Sequence, residues 1–410
     1  MTNQLANDTR RNDPDLAGTP FFFRRLCAIA SRIHIGVLQI ETPDGRILTF
    51  EGTNGDEPRA RINIRDYAVA RRTILGGDIG FFESYTDGQW ETPDLTAVLL
   101  LVARNAAVMQ EVFTGAPLFD FFNNLRHFFN RNTRSGSRKN IIAHYDLGNE
   151  FYEKWLDETM TYSAARFETT STALNNAQTR KYETLARSID LKPGESVLEI
   201  GSGWGGFAEF AAKEIGANVT GLTISPSQYA YAKERIQKEG LSEKVDFRLQ
   251  DYRDVEDRFD KVASIEMFEA VGREYWDAYF EKVRQVLRPG GRAGMQIITI
   301  ADQFFDQYAK NTDFIQRYVF PGGMLPSPTL LRSHIEKAGL EWERNDQFGL
   351  DYAETLRLWQ QRFLEAWDDI RGMGFDQHFK KLWQFYLAYC EAGFKAGTIN
   401  VGQVTAIRPA

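Results

Sequence analysis

Cysteine is nearly absent: Cys27 and Cys390 are the only two in 410 residues. That inventory excludes a disulfide framework and a cysteine-based zinc site, and it favours a reducing, cytoplasmic setting. No apolar run approaches the ~18 residues that a membrane-crossing helix needs. Any membrane contact is therefore expected to be peripheral. Residues 1–20 are polar and lack the charged-then-apolar order of a secretion signal. With Asp13-Pro14 and Thr19-Pro20 they read as a disordered N-terminus. An excess of positive charge is also missing: the net charge of −7 argues against general nucleic-acid binding. The 43% hydrophobic and 26% charged content is that of a globular protein. The chain is too long for one ordinary core, so two domains or a domain with a large extension are expected.

The stretch that organises the chain is Ser196-Val197-Leu198-Glu199-Ile200-Gly201-Ser202-Gly203-Trp204-Gly205-Gly206, followed by an apolar-rich helical segment, Phe207 to Ile215. It reads as strand, tight turn and helix. Glycines at 201 and 203 allow close approach of backbone to a ligand, and the helix start offers free N–H groups. A pyrophosphate site would favour G-x-G-x-x-G. The bulk of Trp204 suits a ligand without one, such as S-adenosylmethionine.

Downstream, strand and helix alternate. Strands are expected at Asn218–Leu222, Lys244–Leu249, Phe259–Ile265 and Arg292–Ile300, and helices at Ser225–Glu239 and Glu274–Leu287. Such alternation implies a mostly parallel, doubly wound α/β sheet with the ligand at the carboxyl ends of its strands. After Ile300 the chain reads as helical and aromatic. Upstream, residues 21–115 read as a small α+β domain: a helix over Phe21–Ile33, a hairpin around Pro43-Asp44-Gly45, an alternating stretch Arg59–Ile64, and helices near Tyr67–Leu75 and from Thr92 to about Val112. Residues 116–143 read as an aromatic and basic linker, with five Lys or Arg and no acid from Arg126 to Lys139. It is either a solvated connection or a contact for anionic phospholipid headgroups. Residues 144–410 form the remaining domain.

Several ordered strings resemble the cyclopropane-fatty-acyl-phospholipid synthase family. They are His144-Tyr145-Asp146-Leu147-Gly148-Asn149, Tyr162-Ser163, the glycine motif, Thr223-Ile224-Ser225-Pro226-Ser227-Gln228, Gln250-Asp251-Tyr252-Arg253, Met267-Phe268-Glu269-Ala270-Val271-Gly272 and Tyr318-Val319-Phe320-Pro321-Gly322-Gly323. The resemblance implies a class I methyltransferase, Rossmann-like, with helical insertions for a lipid and a smaller N-terminal domain. It implies S-adenosylmethionine as methyl donor and the cis double bond of an unsaturated acyl chain in phospholipid as acceptor, giving a cyclopropane. Cofactor contacts are carried to Tyr162, Ser163, Gly201, Ser202, Gly203, Trp204, Gly205, Thr223, Ser225, Gln228, Asp251 and Tyr252. A homodimer and peripheral association with the inner membrane face are implied too.

An alkene attacking a sulfonium methyl leaves a carbocation, so the site must be dry, rich in aromatic faces and equipped with a base. The resemblance implies a bound bicarbonate as that base, held by Glu269, Tyr352, Gln296, the backbone at Ile298 and residue 164. Ala164 stands where the family usually has cysteine, and Gln296 where many members have histidine. These departures weaken the bicarbonate site, which would leave Glu269 to act directly as base. They also admit a second course: proton loss from a neighbouring carbon, giving a methyl-branched or methylene chain, a 10-methyl or furan fatty acid precursor. Competing readings are a small-molecule O- or N-methyltransferase and a non-catalytic lipid-binding protein.

Overall fold

The computed structural model describes residues 16–55, 57–106, 147–169 and 171–410. The polar N-terminal stretch to residue 15, the basic stretch Arg126–Lys139 and His144-Tyr145-Asp146 lie outside the described residues. The chain divides into two compact units, Met1–Ala116 and Pro117–Ala410.

In the first unit β1 (Val37–Glu41), β2 (Ile47–Glu51), β3 (Arg59–Ile64) and β4 (Trp90–Glu91) form a four-stranded sheet in the order β2-β1-β3-β4. The turn at Pro43-Asp44-Gly45 closes the β1–β2 hairpin, in which Val37 faces Glu51 and Glu41 faces Ile47. Helices Phe21–Ala30, Ala68–Thr86 and Leu95–Arg104 complete the unit. The middle helix runs eleven residues beyond the expected Leu75. Gly76-Gly77 reads as a break in sequence, but the backbone kinks at Gly77 and resumes helix.

The second unit carries seven strands: β5 (Ser196–Ile200), β6 (Asn218–Thr223), β7 (Val245–Leu249), β8 (Phe259–Ile265), β9 (Leu287–Ile300), β10 (Glu341–Gln347) and β11 (Ile399–Ile407). Their order is β10-β11-β9-β8-β5-β6-β7. The pairs β9/β8, β8/β5, β5/β6 and β6/β7 are parallel, while β11 runs antiparallel to both β9 and β10. Parallel strands covered on both faces read as continuous apolar runs. On β5, Val197 packs into a core with Leu185, Phe207, Ala208 and Val219. Its neighbour Leu198 packs into the opposite core with Trp276, Phe280, Val283 and Met295.

The antiparallel pair β10–β11 departs from the expectation of an all-helical C-terminal third. Glu-Trp-Glu-Arg-Asn-Asp-Gln of β10 is a charged sheet edge and carries no apolar alternation. β11 is buried along most of its length, because β9 and β10 flank it on both edges. Pro289-Gly290-Gly291 ends the preceding helix at Val286 as its residue types require, but Leu287 already pairs with Phe259. The glycines form an irregularity inside β9 before Arg292 pairs with Lys261.

The direction of strand addition reverses between β5 and β8. In such a sheet the crevice beyond the carboxyl ends at the reversal is where ligands bind. Gly201 follows the end of β5, and Glu266 follows the end of β8. Trp276 is fully buried against Phe268 and Phe305. Trp276→Ala should lower the unfolding free energy of this unit by about 3–5 kcal/mol. Urea unfolding followed by tryptophan fluorescence checks it; a loss well below that range would mean that the core relaxes around the deletion.

Candidate active site

The glycine turn beyond β5 uses its glycines in two different ways. Gly201 has φ +83°, and a Cβ there would lie 2.7 Å from Met267 Cγ, so its freedom serves packing against the segment after β8. Gly203, with φ +51°, has nothing within 4 Å of such a Cβ. That open cradle is the place where backbone can approach a ligand. Ser202 is buried, with N–H and hydroxyl both donating to the Leu222 carbonyl, which ties β5 to β6. Trp204 is buried with its ring 5.1 Å from that of Tyr152, and its Nε1–H donates to Asn149 Oδ1 at 2.8 Å. Asn149 thereby pins the glycine loop from outside the sheet, a role its sequence context did not disclose.

At the end of β6, Thr223 Oγ1 donates to Oε1 of the buried Gln228 at 3.0 Å, which leaves the Gln228 amide NH₂ as the donor of that pair. Ser225 caps the Pro226–Lys238 helix, its hydroxyl accepting from Gln228 N–H. Beyond β7, Asp251 takes Arg253 through both carboxylate oxygens, Nη2 to Oδ2 being 2.6 Å. Tyr252 packs edge-on to Tyr279, and burial pushes its phenol up to about 12. Tyr162 stands among aromatic rings, 5.4 Å from Tyr152, 5.5 Å from Trp155 and 5.3 Å from Trp359. Its hydroxyl shares a 2.7 Å hydrogen bond with Tyr386. Ser163 faces the other way, accepting from the ammonium of Lys181 at 2.6 Å.

The base site is built around a residue that the sequence reading passed over. The Ala164 N–H donates to Glu266 Oε1 at 2.8 Å, and Gln296 Nε2 donates to the same oxygen at 2.7 Å. The Tyr352 hydroxyl donates to Glu266 Oε2 at 2.7 Å. These are three of the donors expected to hold bicarbonate. They converge instead on a side-chain carboxylate of the chain itself, so the residues present do not fit a separate bicarbonate there. Ala164 and Gln296, the two departures that put bicarbonate in doubt, are both donors to this carboxylate. The signal in sequence was an acid after the apolar strand β8, three residues ahead of Glu269. Glu266 also has φ +49°, a strained conformation for a residue with a Cβ. Such strain costs about 1–3 kcal/mol and gathers at functional sites.

Glu269 and Ile298 are brought together as expected, with the Ile298 N–H donating to Glu269 Oε1 at 2.5 Å. Oε2 of Glu269 is buried without a protein partner, as is Oε2 of Glu199 at the end of β5. Burial, reinforced by the Glu266 charge, pushes Glu269 up to about 8. Burial raises Glu266 as well, but its hydrogen bonds and the Lys181 charge pull the other way. The two neighbouring carboxyls sit in different settings: donors and the Lys181 charge counter the rise at Glu266, whereas the Glu266 charge adds to the rise at Glu269.

A profile of the mycolic acid cyclopropane synthetase family matches residues 132–404. Over 377 residues the chain is 38% identical to the tuberculostearic acid methyltransferase of Mycobacterium tuberculosis, spanning 88% of this chain and 87% of that protein. It is 36% identical over 364 residues to the cyclopropane-fatty-acyl-phospholipid synthase of Escherichia coli, spanning 86% of this chain and 88% of that protein. Among solved structures, the mycolic acid cyclopropane synthase CmaA1 in complex with SAH and CTAB superposes with a TM-score of 0.62 at 28% identity. The match covers 66% of this chain and 98% of that one.

Glu269 makes stability depend on pH. Its folded value of about 8 exceeds the ordinary 4.5, so the folded state binds the extra proton between those limits. Its contribution is complete below the unfolded value and is lost as pH rises toward the folded one, at about 1.4 kcal/mol per pH unit. Unfolding free energies from pH 5 to pH 8 (roughly the window in which the group is protonated only in the folded state) should fall in the wild type. Glu269→Gln should flatten that slope. An equal slope in both proteins would show that Glu269 is ionised in the fold.

Proposed function

The chain belongs to the mycolic acid cyclopropane synthetase family, and on that premise we propose that it methylates the double bond of an unsaturated phospholipid acyl chain with Glu266, in place of bicarbonate, as the base. It is an S-adenosylmethionine-dependent methyltransferase. The open backbone cradle at Gly203 and the Thr223–Gln228 pair fit that donor, with Asp251 and Tyr252 at the next strand end. When bound, it supplies an electrophilic methyl group.

The residues of the chain do the rest. The double-bond electron pair forms the new C–CH₃ bond as the S–CH₃ bond breaks, and positive charge appears on the acyl chain. Tyr162 and its ring neighbours Tyr152, Trp155 and Trp359 exclude water and offer electron-rich faces, with cation–π attraction contributing up to about 2 kcal/mol when desolvated. Glu266 then accepts a proton from a chain carbon, and the C–H electron pair closes the new bond. Ala164 N–H, Gln296 and Tyr352 hold the carboxylate in place for that transfer. Glu269, neutral on the Ile298 amide, leaves Glu266 as the ionised carboxylate of the pair.

The product we propose is an unsaturated methyl-branched acyl chain, in place of the ring that resemblance alone implies. The observation that carries this reading is the Glu266 carboxylate on the three donors. A base fixed to the end of β8 and held by three donors keeps one position beside the chain. It takes the proton from whichever chain carbon is set against it. The similarity to the tuberculostearic acid methyltransferase along nearly the whole chain supports the same course.

Proton NMR of cis-monounsaturated phospholipid after reaction tests the product. A retained vinyl signal with a new methyl branch is expected; strongly shielded cyclopropane protons would overturn the branching course. Base identity is tested separately. Glu266→Gln should lower kcat by about 10²–10⁴-fold, the usual contribution of a general base, while S-adenosylmethionine affinity by calorimetry is retained. Glu269→Gln, which mimics a neutral acid, should cost less than about tenfold. Depleting bicarbonate should leave the wild type unaffected, whereas Glu266→Gly should become dependent on added bicarbonate. A wild type that needs bicarbonate would sink the assignment.

A further inference from the structure

Lys181 lies on the Leu174–Ser188 helix and is fully buried. Its ammonium donates to Ser163 Oγ at 2.6 Å and to Gln178 Oε1 at 2.7 Å. Gln178 Nε2 in turn donates to the Ser163 carbonyl at 3.0 Å. Helix residues 178 and 181 therefore grip Ser163 by both side chain and backbone, one residue before the amide that donates to Glu266. A second route leaves from the Lys181 carbonyl. It accepts from Gln403 Nε2 at 3.0 Å, the same group donates to Gln296 Oε1 at 3.2 Å, and Gln296 is the other donor to Glu266 Oε1. Both routes end on one oxygen of the base.

No carboxylate among the described residues forms an ion pair with this ammonium. Its direct acceptors are neutral, so the charge is uncompensated at contact distance, which is costly in a buried place. The groups of opposite sign that face it are Glu266 from the end of β8, Glu199 from β5 and Asp157 from the turn after the Asn149–Glu153 helix. The ring of Tyr182 lies 4.7 Å from Nζ. Glu266 is faced in turn by Lys181, Glu269, Tyr352 and Cys390. Of these only Lys181 brings positive charge.

We propose that Lys181 is a positioning residue for the methyl transfer, fixing the Ser163–Ala164 backbone against Glu266 and holding that carboxylate ionised by its charge. The proposal rests on the reading of Glu266 as base. It assigns two consequences to one buried cation. Geometrically, loss of its hydrogen bonds frees the Ala164 amide. Electrostatically, loss of its charge leaves only hydrogen bonds to oppose the rise that burial imposes on Glu266. Burial also draws Lys181 below the ordinary lysine range. The enzyme is then competent only between the pH at which Glu266 loses its proton and the pH at which Lys181 loses its own.

The test is the pH profile of kcat for the full-length wild type, Lys181→Gln and Glu266→Gln, with fold checked by circular dichroism. The wild type should give a bell. In Lys181→Gln the ascending limb should move up by about one pH unit or more, a tenfold loss of ionised base at a given pH, and the descending limb should vanish. KM for the acyl substrate should stay within about twofold, since no substrate contact is removed. A lower kcat with both limbs in their wild-type places would reduce Lys181 to a packing residue and overturn the proposal. Wild-type turnover in Glu266→Gln would instead remove the base assignment itself. If Lys181→Gln does not fold, NMR of ¹³C-lysine-labelled wild type decides: Lys181 should titrate with the descending limb, and titration more than about one unit away overturns the proposal.

Discussion

The Glu266 carboxylate is the constraint to which the catalytic unit is fitted. An ion of that size loses several kcal/mol of hydration on burial unless its surroundings replace the water. Here the replacement comes from three separate parts of the chain: the Ala164 amide from the strand-free segment before the Leu174–Ser188 helix, Gln296 from β9, and Tyr352 from the Gly349–Glu365 helix. Hydrogen bonds to a charged group contribute about 1.5–3 kcal/mol each. Removing one donor leaves the ion partly unpaired, so each of the three elements is held to its position by the same oxygen pair.

The sheet topology makes this convergence possible. Parallel β8 delivers Glu266 at its carboxyl end beside the glycine turn of β5, at the reversal of strand order. Met267, the next residue, fills the space that a Cβ at Gly201 would take. The glycine turn and Glu266 are thus neighbours through one packing contact. Gln403 on β11 reaches Gln296 on β9 in direct register, which ties the antiparallel edge of the sheet to Glu266 as well.

Water exclusion follows from the helical segments around the sheet. Tyr162 is enclosed by Tyr152, Trp155 and Trp359, and the Tyr352 ring lies tilted 4.5 Å from that of Phe394. Low polarity strengthens every electrostatic contact inside. It also raises Glu269, buried near Glu266, while donors and the Lys181 charge oppose the rise at Glu266.

The sequence by itself determined the parallel part of the sheet, because strands buried on both faces leave continuous apolar runs and the helices between them carry caps such as Ser225-Pro226. It determined the glycine turn, and it brought Gln296, Ile298, Tyr352 and Ala164 to one site through the resemblance. β10 and β11 were not legible. A charged edge strand shows no alternation, and the partners that bury β11 stand about a hundred residues away at β9. Asn149 was visible only as part of a motif; its bond to Trp204 is a tertiary fact. Glu266 was legible as an acid after an apolar strand, but not as a base. Ala164 and Gln296 read as losses while their expected ligand was bicarbonate. Only the fold, by turning the end of β8 through a left-handed residue, carried a carboxylate to the donors that such an anion would occupy.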